Sequence, residues 1–586
     1  MTEIRVWAPN ARQVVIESQN RTVNMARNPA GWWTAEAPFI CHGVDYAFRI
    51  DGEGPFPDPR SGWQPEGVHG PSRWVDHADF AWSDDQWRQP PMGSAVIYEM
   101  HVGTFTAEGG FESAIECVDY LADLGITHLE LMPVAEFSGT RGWGYDGVDL
   151  YAPHHAYGGP EGLKRLVDAC HQRGLAVLLD VVYNHLGPAG NYLERFGPYF
   201  TDRYVTPWGQ AVNLDGPGSD EVRRFFIDNA LMWLRDYHMD GLRVDAVHAI
   251  VDTSAIHFLE QLAAEVKQLE AHLGRSLILI AESDLNDPRV VRSPELGGYG
   301  FDAQWNEDFH HALHAVLTGE RDGYYQDYGA IADLSKALTR GFIYDGCYSL
   351  HRRRRHGRPA TGLSGHRFVG CLQNHDQVGN RAMGERISHL LPPERLKLGA
   401  ALVMTAPFIP MLFQGEEWAA SAPFLYFTDH QDPELGEAVK QGRRDEFAAF
   451  GWEADAIADP QSEDAFLRSR LEGVEFDKPP HAEMFEWHRA LIDLRRRLSA
   501  LQDGRMEQTT VDFDEAAQWL MMARGSVLVV VNFANEAQTI PLTGCSRKTL
   551  LLSSGEGVVL EDGAISMPSN IAAILKDERN DAFNIS

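Results

Sequence analysis

The chain has 586 residues, more than one compact hydrophobic core accommodates, so two or three domains are expected. Its 84 acidic and 51 basic side chains give a formal net charge of −33 at pH 7. Such a charge favours solubility and argues against a general affinity for nucleic acid or an anionic membrane surface. The basic run HRRRRHGRP at 351–359 is therefore interpreted first as a solvated loop, and a phosphate or nucleic-acid patch is the minority interpretation.

The cysteines and the N-terminal residues indicate in which cellular compartment the protein is expected. The N-terminal MTEIRVWAPN lacks the basic start and apolar core of a signal peptide, and the most apolar stretch, GAALVMTAPFIPMLF, is interrupted by Pro407 and Pro410. The cysteines form no C-x-x-C pair, which is typical of reduced thiols in a cytosolic protein. The sequence therefore predicts a cytoplasmic protein without a membrane span. The six cysteines are Cys41, Cys117, Cys170, Cys347, Cys371 and Cys545.

The two ends of the chain are predicted to be β-rich. Residues 1–90 contain short apolar strands such as EIRVWAPN and VDYAFRID, separated by Pro, Asn and Gly, which predicts a β-sandwich domain of a carbohydrate-binding type. The Pro-rich WRQPPMGS at 87–94 marks its boundary. The strands QWLMMA and SVLVVVNFA, among others, predict a C-terminal β-domain at 504–586.

Between these ends, apolar strands alternate with amphipathic helices such as GGPEGLKRLVDACHQRG. Strand and helix alternating eight times is typical of a parallel (β/α)8 barrel, and we expect this α/β fold over residues 91–503. The candidate strands are 95–102, 127–134, 175–184, 241–248, 276–283, 301–306, 368–376 and 409–417.

Charged residues fall where these strands end. In GLRVDAVH, Arg243 and Asp245 are two positions apart and share one face of a strand, so that face must meet something polar. Because the active sites of such barrels lie at the C-terminal ends of the strands, we expect four acids and three histidines to converge there. They are Asp180, Asp245, Glu282, Asp376, His185, His248 and His375.

Three interpretations of this cluster differ in plausibility. A buried Arg–Asp pair that joins two strands is a good explanation for Asp180 with Arg243, but not for all the carboxylates, which repel one another. A catalytic metal is disfavoured because neither HxH nor HExxH spacing is present. Glycoside hydrolysis does need two carboxyl groups in different protonation states. Asp245 and Glu282 are candidates, although spacing alone does not fix their roles.

The segments DVVYNH, GLRVDAVH, AES and QNHDQ, in this order, resemble the four signature regions of the α-amylase superfamily of glycoside hydrolases. The resemblance covers the whole barrel. It implies Asp245 as nucleophile, Glu282 as general acid/base and Asp376 as a third carboxylate that grips sugar hydroxyls. Further substrate-binding residues are expected around the reacting sugar, with Tyr145 of GWGYDG as its stacking platform; they are His185, Arg243, His248 and His375. Neither a cofactor nor a catalytic metal is expected, and DVVYNH alone does not settle whether a structural ion such as calcium binds.

Narrower features favour one branch of that superfamily. PDPRSGWQPEGVHGPS at 57–72 and LQNHDQVGNRAMGER at 372–386 resemble the enzymes that release trehalose from the end of maltooligosyltrehalose. This resemblance implies that the enzyme acts after the synthase that isomerises the reducing end of a maltooligosaccharide. A branching enzyme is the alternative, although its seventh-strand signature usually lacks QNHDQVGN. A non-catalytic carbohydrate-binding protein on the same fold is a second alternative, disfavoured because all three acids are present.

Overall fold

The computed structural model describes residues 3–448, 457–542 and 547–578, so Cys545 and the chain end from 579 lie outside the described residues. Eight parallel strands close into a barrel, and we number them in chain order. They are β1 Ile97–Met100, β2 His128–Leu131, β3 Ala176–Val181, β4 Gly241–Val244, β5 Ile278–Ala281, β6 Ala303–Trp305, β7 Phe368–Cys371 and β8 Ile409–Phe413.

The predicted barrel is confirmed, and each of the eight predicted segments contains one of its strands. Every residue of the eight strands is buried. Parallel strands covered on both faces are expected to be largely apolar, and most strand residues here are. Buried polar residues interrupt several of the strands, among them Glu99, Glu130, Asp180 and Arg243.

Several strands are shorter than predicted, because the chain turns as soon as it reaches the catalytic end of the barrel. β4 ends at Val244, and Ala246 adopts a left-handed conformation with φ of 38°. β7 ends at Cys371 rather than continuing to Asp376. The side chain of Asn374 caps a helix over His375–Gly379 by accepting a hydrogen bond from the backbone N–H of Gln377.

Helices cover the outside of the barrel, with one departure from strict alternation. Over the described residues 282–302, between β5 and β6, the only helical element is the 3-10 turn Pro294–Leu296. The segment DLNDPRVVRSPELGGYG there is rich in Asp, Pro and Gly, which favour turns. The longer helices are Gly159–Gln172, Ser219–Asp236, Phe258–Leu273, Glu307–Thr318, Ile331–Arg340, Pro393–Thr405, Pro433–Ala448 and His481–Arg497.

The β-rich character of both chain ends is also confirmed. The N-terminal region has two antiparallel sheets, one with strands Glu3–Trp7, Trp32–Glu36 and Ala26–Arg27, and one with Arg21–Asn24, Val14–Ser18, Asp45–Ile50, Glu53–Phe56 and Ser72–Arg73. The C-terminal region has an antiparallel sheet of Thr509–Asp514, Trp519–Arg524, Val527–Asn532, Ile571–Asp577 and Lys548–Ser553, and a second of Gln538–Pro541, Ala564–Met567 and Val559–Glu561.

A buried arginine joins the C-terminal sheet to the barrel. Arg524 donates hydrogen bonds to the backbone carbonyls of Thr405 and Ala406, at 2.7 and 2.8 Å, where the helix Pro393–Thr405 ends. A cation is favourable at this position because the last carbonyls of a helix have no partner within it. Among the described residues, no helix is long and apolar enough to cross a membrane.

Candidate active site

Arg243 lies at the centre of a cluster of carboxylates at the catalytic end of the barrel. Its Nη1 donates hydrogen bonds to Asp180 Oδ2 at 2.7 Å and to Asp245 Oδ1 at 2.8 Å, and its Nη2 lies 3.6 Å from Glu282 Oε2. The guanidinium group is fully buried and stacks over the ring of Trp305, with 4.2 Å from Cζ to the ring centroid. One cation therefore holds three of the predicted acids together.

The turn after β4 brings Asp245 and Glu282 together. The backbone N–H of Asp245 donates to Val181 of β3, and the N–H of Glu282 donates to Val244 of β4. The left-handed turn at Ala246 then directs its own N–H to Glu282 Oε2, at 2.5 Å. The two carboxyl groups thus sit on neighbouring strands with a shared arginine and a rigid backbone between them.

The protonation of Glu282 is set by its surroundings. Burial, aided by the charges of Asp245 and Asp376, outweighs the opposing effect of Arg243 and raises the pKa of Glu282 to about 8. Glu282 therefore carries a proton at neutral pH, as expected for a general acid.

Tyr145 and His375 form a second layer beside the arginine. The Tyr145 hydroxyl donates to Asp180 Oδ2 at 2.6 Å and lies 2.8 Å from His375 Nε2. Burial lowers the pKa of His375, but the carboxylates of Glu99 and Asp376 outweigh it and raise the pKa to about 9. The imidazole is thus a cation at neutral pH, and the Asp376 carboxylate lies 3.6 Å from its Nε2.

The remaining predicted histidines lie further from this layer. His185 Nε2 bonds to the backbone carbonyl of Tyr145 at 3.0 Å, and its ring stacks on the half-exposed Trp208, with centroids 4.6 Å apart. His248 lies on a 3-10 turn, and its Nε2 is 4.0 Å from Asp284 Oδ1.

A cavity of about 390 Å³ opens beside Glu282 and Asp376. This volume is in the range of small-molecule sites. Half-buried Arg352, from the basic run, lines the cavity 3.4 Å from Asp284. Arg353, Arg354 and Arg355 are exposed as predicted, but the run is not wholly a loop, because Arg354–Gly357 is a strand paired with Asp345–Ser349. Further lining residues are Asn286, Glu307, Asp308, His311, Glu320, Asp322, Tyr324, Tyr325, Tyr328, His351, Gln377, Asn380 and Arg381.

Comparison with known proteins identifies the family of the chain. The model of the alpha amylase catalytic domain matches residues 77–203, and a domain of unknown function matches 504–566. A malto-oligosyltrehalose trehalohydrolase of Arthrobacter ramosus is 50% identical and covers 94% of this chain and 95% of its own. One from Rhizobium sp. (strain M-11) is 47% identical over 98% of this chain and 97% of its own. The chain belongs to the malto-oligosyltrehalose trehalohydrolase family.

Membership of the trehalohydrolases makes the chain a glycoside hydrolase of the alpha-amylase family. A crystal structure from Salmonella typhimurium, assigned to the alpha amylases, superposes with a TM-score of 0.90 at 36% identity, covering 98% of this chain and 97% of the other. The similarity to a 1,4-alpha-glucan branching enzyme of Corynebacterium jeikeium is weaker, with 33% identity over 55% of this chain and 50% of the other.

Three residues of the candidate site could not be identified from the sequence. Glu99 of β1 binds the ring and backbone of His375, Trp305 ends β6 beneath Arg243, and Glu307 begins the next helix. Burial and the charge of Asp376 raise the pKa of Glu307 to about 8, and Gln377 donates to its Oε2 at 2.7 Å. In the sequence, Glu99 and Trp305 are single polar or aromatic residues within apolar strands.

Two groups among the described residues have side chains that could hold a metal ion, Glu136 with His154 and His155, and Glu307 with His310 and His311. In the first group His155 already binds Glu136 through its ring Nδ1, at 2.7 Å, and through its backbone N–H, at 2.8 Å. The expectation that no metal is needed stays a prediction.

The raised pKa of Glu282 predicts a gain in stability for Glu282→Gln. A folded-state pKa of about 8, against the ordinary glutamate value of 4.5, means that folding favours protonated Glu282. The wild type therefore loses stability as the pH rises from 4.5 towards 8, and glutamine removes this loss. We expect Glu282→Gln to be more stable by about 4 kcal/mol at pH 7.5, with no difference below pH ~4.5.

Urea unfolding of both proteins at pH 4.5, 6 and 7.5 measures this difference, and Glu434→Gln, at an exposed position, serves as the control. A difference that stays constant over this pH range, or a less stable Glu282→Gln at pH 7.5, would contradict the prediction.

Proposed function

We propose that the chain hydrolyses the α-1,4-glucosidic bond next to the terminal trehalose unit of maltooligosyltrehalose, releasing trehalose and a maltooligosaccharide with retained configuration. The similarity to named trehalohydrolases along nearly the whole chain supports the substrate. The chemistry rests on one observation, the pair formed by Asp245, bonded to Arg243, and the protonated Glu282.

The proposed mechanism is a double displacement. Glu282 donates its proton to the glycosidic oxygen while the Asp245 carboxylate attacks the anomeric carbon, so that trehalose leaves and a glycosyl ester forms. Glu282, now ionised, takes a proton from water, whose oxygen attacks the same carbon and releases Asp245. Such a mechanism requires the two carboxyl groups to be roughly 5–5.5 Å apart.

The other predicted residues are proposed to hold the reacting sugar. Arg243 keeps Asp245 oriented and stabilises its negative charge, and Asp376, whose side chain is partly exposed at the cavity, accepts hydrogen bonds from sugar hydroxyls. Tyr145 is proposed as the stacking platform for the sugar ring. His185, His248 and His375 complete the proposed set of substrate contacts.

The leaving-group side is proposed to lie in the 390 Å³ cavity, because Glu282, the proposed proton donor, lines it. Asn380 and Arg381, which follow β7 in NRAMGER, belong to its wall. The segment EWAASAPFLYFTDHQD, which follows β8, contributes no lining residue, although residues 417–432 are all described. Polar groups that stay unpaired when the wrong disaccharide binds would discriminate strongly.

The setting of the reaction is also proposed. The substrate would come from a synthase that isomerises the reducing end of maltooligosaccharides, and the enzyme would work in the cytoplasm without nucleic acid, in keeping with its charge of −33. The domain limits are proposed at residues 1–90, 91–503 and 504–586, with the first domain of a carbohydrate-binding type.

The first prediction concerns the substrate. We expect kcat/KM to be at least ~10-fold higher on maltooligosyltrehalose than on a maltooligosaccharide of equal length, since a polar site rejects a disaccharide that leaves its groups unpaired. The measurement is initial rates with trehalose detected directly. Equal efficiency would indicate a general amylase, and α-1,6 branches formed from a linear glucan would indicate a branching enzyme.

The second prediction concerns the reacting carboxyl groups. Asp245→Ala and Glu282→Gln should each lower kcat on maltooligosyltrehalose by about 100-fold or more, since both groups act in the chemical step. Wild-type activity should fall as the pH rises through about 8, where Glu282 loses its proton.

Circular dichroism of the same samples shows whether each variant is folded, and early proton NMR identifies the new reducing end. Near-normal turnover in either folded variant would refute the assignment, as would a β-anomer that forms first.

A further inference from the structure

Glu99 binds His375 at two points from inside the barrel. It lies on β1 and is 1% exposed. Its Oε2 accepts a hydrogen bond from the backbone N–H of His375 at 2.8 Å, and its Oε1 accepts one from the ring Nδ1 at 2.5 Å. This double contact fixes both the position of the imidazole and the protonation of its Nδ1, because a carboxylate only accepts hydrogen bonds.

The Tyr145 hydroxyl determines the protonation of the other ring nitrogen. It contacts two groups, Asp180 Oδ2 at 2.6 Å and His375 Nε2 at 2.8 Å, but has one proton to donate. Burial raises the pKa of Asp180 only to about 6, so at pH 7.5 Asp180 is ionised and cannot donate, and the hydroxyl gives its proton to Asp180. The contact with His375 is then a hydrogen bond only if Nε2 carries a proton. Both ring nitrogens are therefore protonated.

We propose that Glu99 is a positioning residue of the active site: it holds His375 as an imidazolium, whose Nε2–H donates to Tyr145 and so commits the Tyr145 proton to Asp180. The inference rests on the function proposed above. Glu99 belongs to none of the motifs named above. Its negative charge nevertheless stands at the start of a chain of hydrogen bonds that reaches Asp245. That chain runs from Glu99 through His375, Tyr145, Asp180 and Arg243 to Asp245.

The charges around His375 favour the cation. Burial alone would lower its pKa, but the charges of Glu99 and Asp376 have the larger effect and raise the pKa to about 9. Arg243 opposes the cation, and His101 would do so if charged, but burial lowers the pKa of His101 to about 4. The groups that face His375 from the surrounding elements are Glu99, His101, Glu130, Tyr145, Asp180 and Arg243, with Asp376 on its own helix.

Loss of the charge on Glu99 would reach the proposed nucleophile through these contacts. A neutral imidazole with its proton on Nδ1 would offer Nε2 as an acceptor, in competition with Asp180 for the Tyr145 proton. Asp180 Oδ1 has no hydrogen-bond partner, so Asp180 would then rely on Arg243 alone. Arg243 donates to Asp245 through the same nitrogen, so its contact with Asp245 would change as well.

Glu130 provides a matched control, because it is paired with Glu99 in the register of β1 and β2 and is also 1% exposed. Neither of its carboxyl oxygens has a hydrogen-bond partner, and burial raises its pKa well above the usual value. A buried carboxyl group without a hydrogen-bond partner favours the protonated, uncharged form. Glutamine at position 130 leaves the charge unchanged, whereas glutamine at position 99 removes a negative charge. The two side chains have the same size and are equally buried.

The test compares wild type, Glu99→Gln and Glu130→Gln. The ring nitrogen shifts of His375, measured by NMR on histidine-labelled full-length protein without substrate and assigned with His375→Gln, report its protonation directly. At pH 7.5 we expect an imidazolium in the wild type and in Glu130→Gln, and a neutral ring in Glu99→Gln. We also expect kcat of Glu99→Gln to fall about 10- to 100-fold, the range found when the partner that orients a metal-bound imidazole is lost.

An imidazolium that persists in Glu99→Gln, or a neutral His375 ring in the wild type, would overturn the inference. The wild-type spectrum therefore keeps the inference open to refutation even if Glu99→Gln does not fold. An equal loss of kcat in Glu130→Gln would also overturn it, because burial rather than charge would then explain the effect. Failure of the proposed function is a separate result, namely a wild type that releases no trehalose while its His375 ring still titrates as expected.

Discussion

A buried guanidinium holds the proposed active site together. Arg243 has no exposed surface, and taking a cation out of water is costly unless several groups compensate it. Here Asp180 and Asp245 accept its hydrogen bonds, Glu282 lies nearby, and Trp305 covers its face. Without that cation, carboxylates of neighbouring strands would repel one another in a medium of low polarity.

The barrel makes this arrangement possible. The arrangement in turn gives two carboxyl groups, those of Asp245 and Glu282, different surroundings. β4 lies between β3 and β5, so Arg243 reaches acids on both neighbours. Asp245 receives a hydrogen bond from the cation, whereas Glu282 Oε2 lies 3.6 Å from it and keeps a proton because it is buried. The left-handed turn at Ala246, a backbone strain of the kind found at functional sites, fixes the distance between the two.

Much of the fold could be predicted from the sequence, since the strands of a parallel barrel are mostly apolar and several of them are followed by polar residues at the same end. This pattern located all eight strands and identified Arg243 and Asp245 as unusual. The strand limits could not be predicted, because they depend on local events such as the cap at Asn374 and the turn at Ala246.

The inner partners of the site could not be predicted for a different reason. Glu99 and His375 are 276 residues apart, and a glutamate within the run AVIYEMHV has no local feature that points to its partner. Likewise the cavity wall combines loops after β5, β6 and β7, so residues such as Glu307 and Arg352 meet only in the folded chain. Long-range contacts of this kind leave no periodicity in the sequence.

The central claim is that the Arg243 cluster makes Asp245 the nucleophile and leaves Glu282 as the acid. It is tested most directly by trapping the covalent intermediate with an α-glucosyl fluoride that carries a second fluorine at C5, which slows breakdown of the ester, in the Glu282→Gln variant. Peptide mass spectrometry after digestion locates the sugar. The account predicts one glucosyl group, bound to the peptide that contains Asp245. A sugar on Asp376 or another residue, or release of fluoride without any adduct, would contradict it.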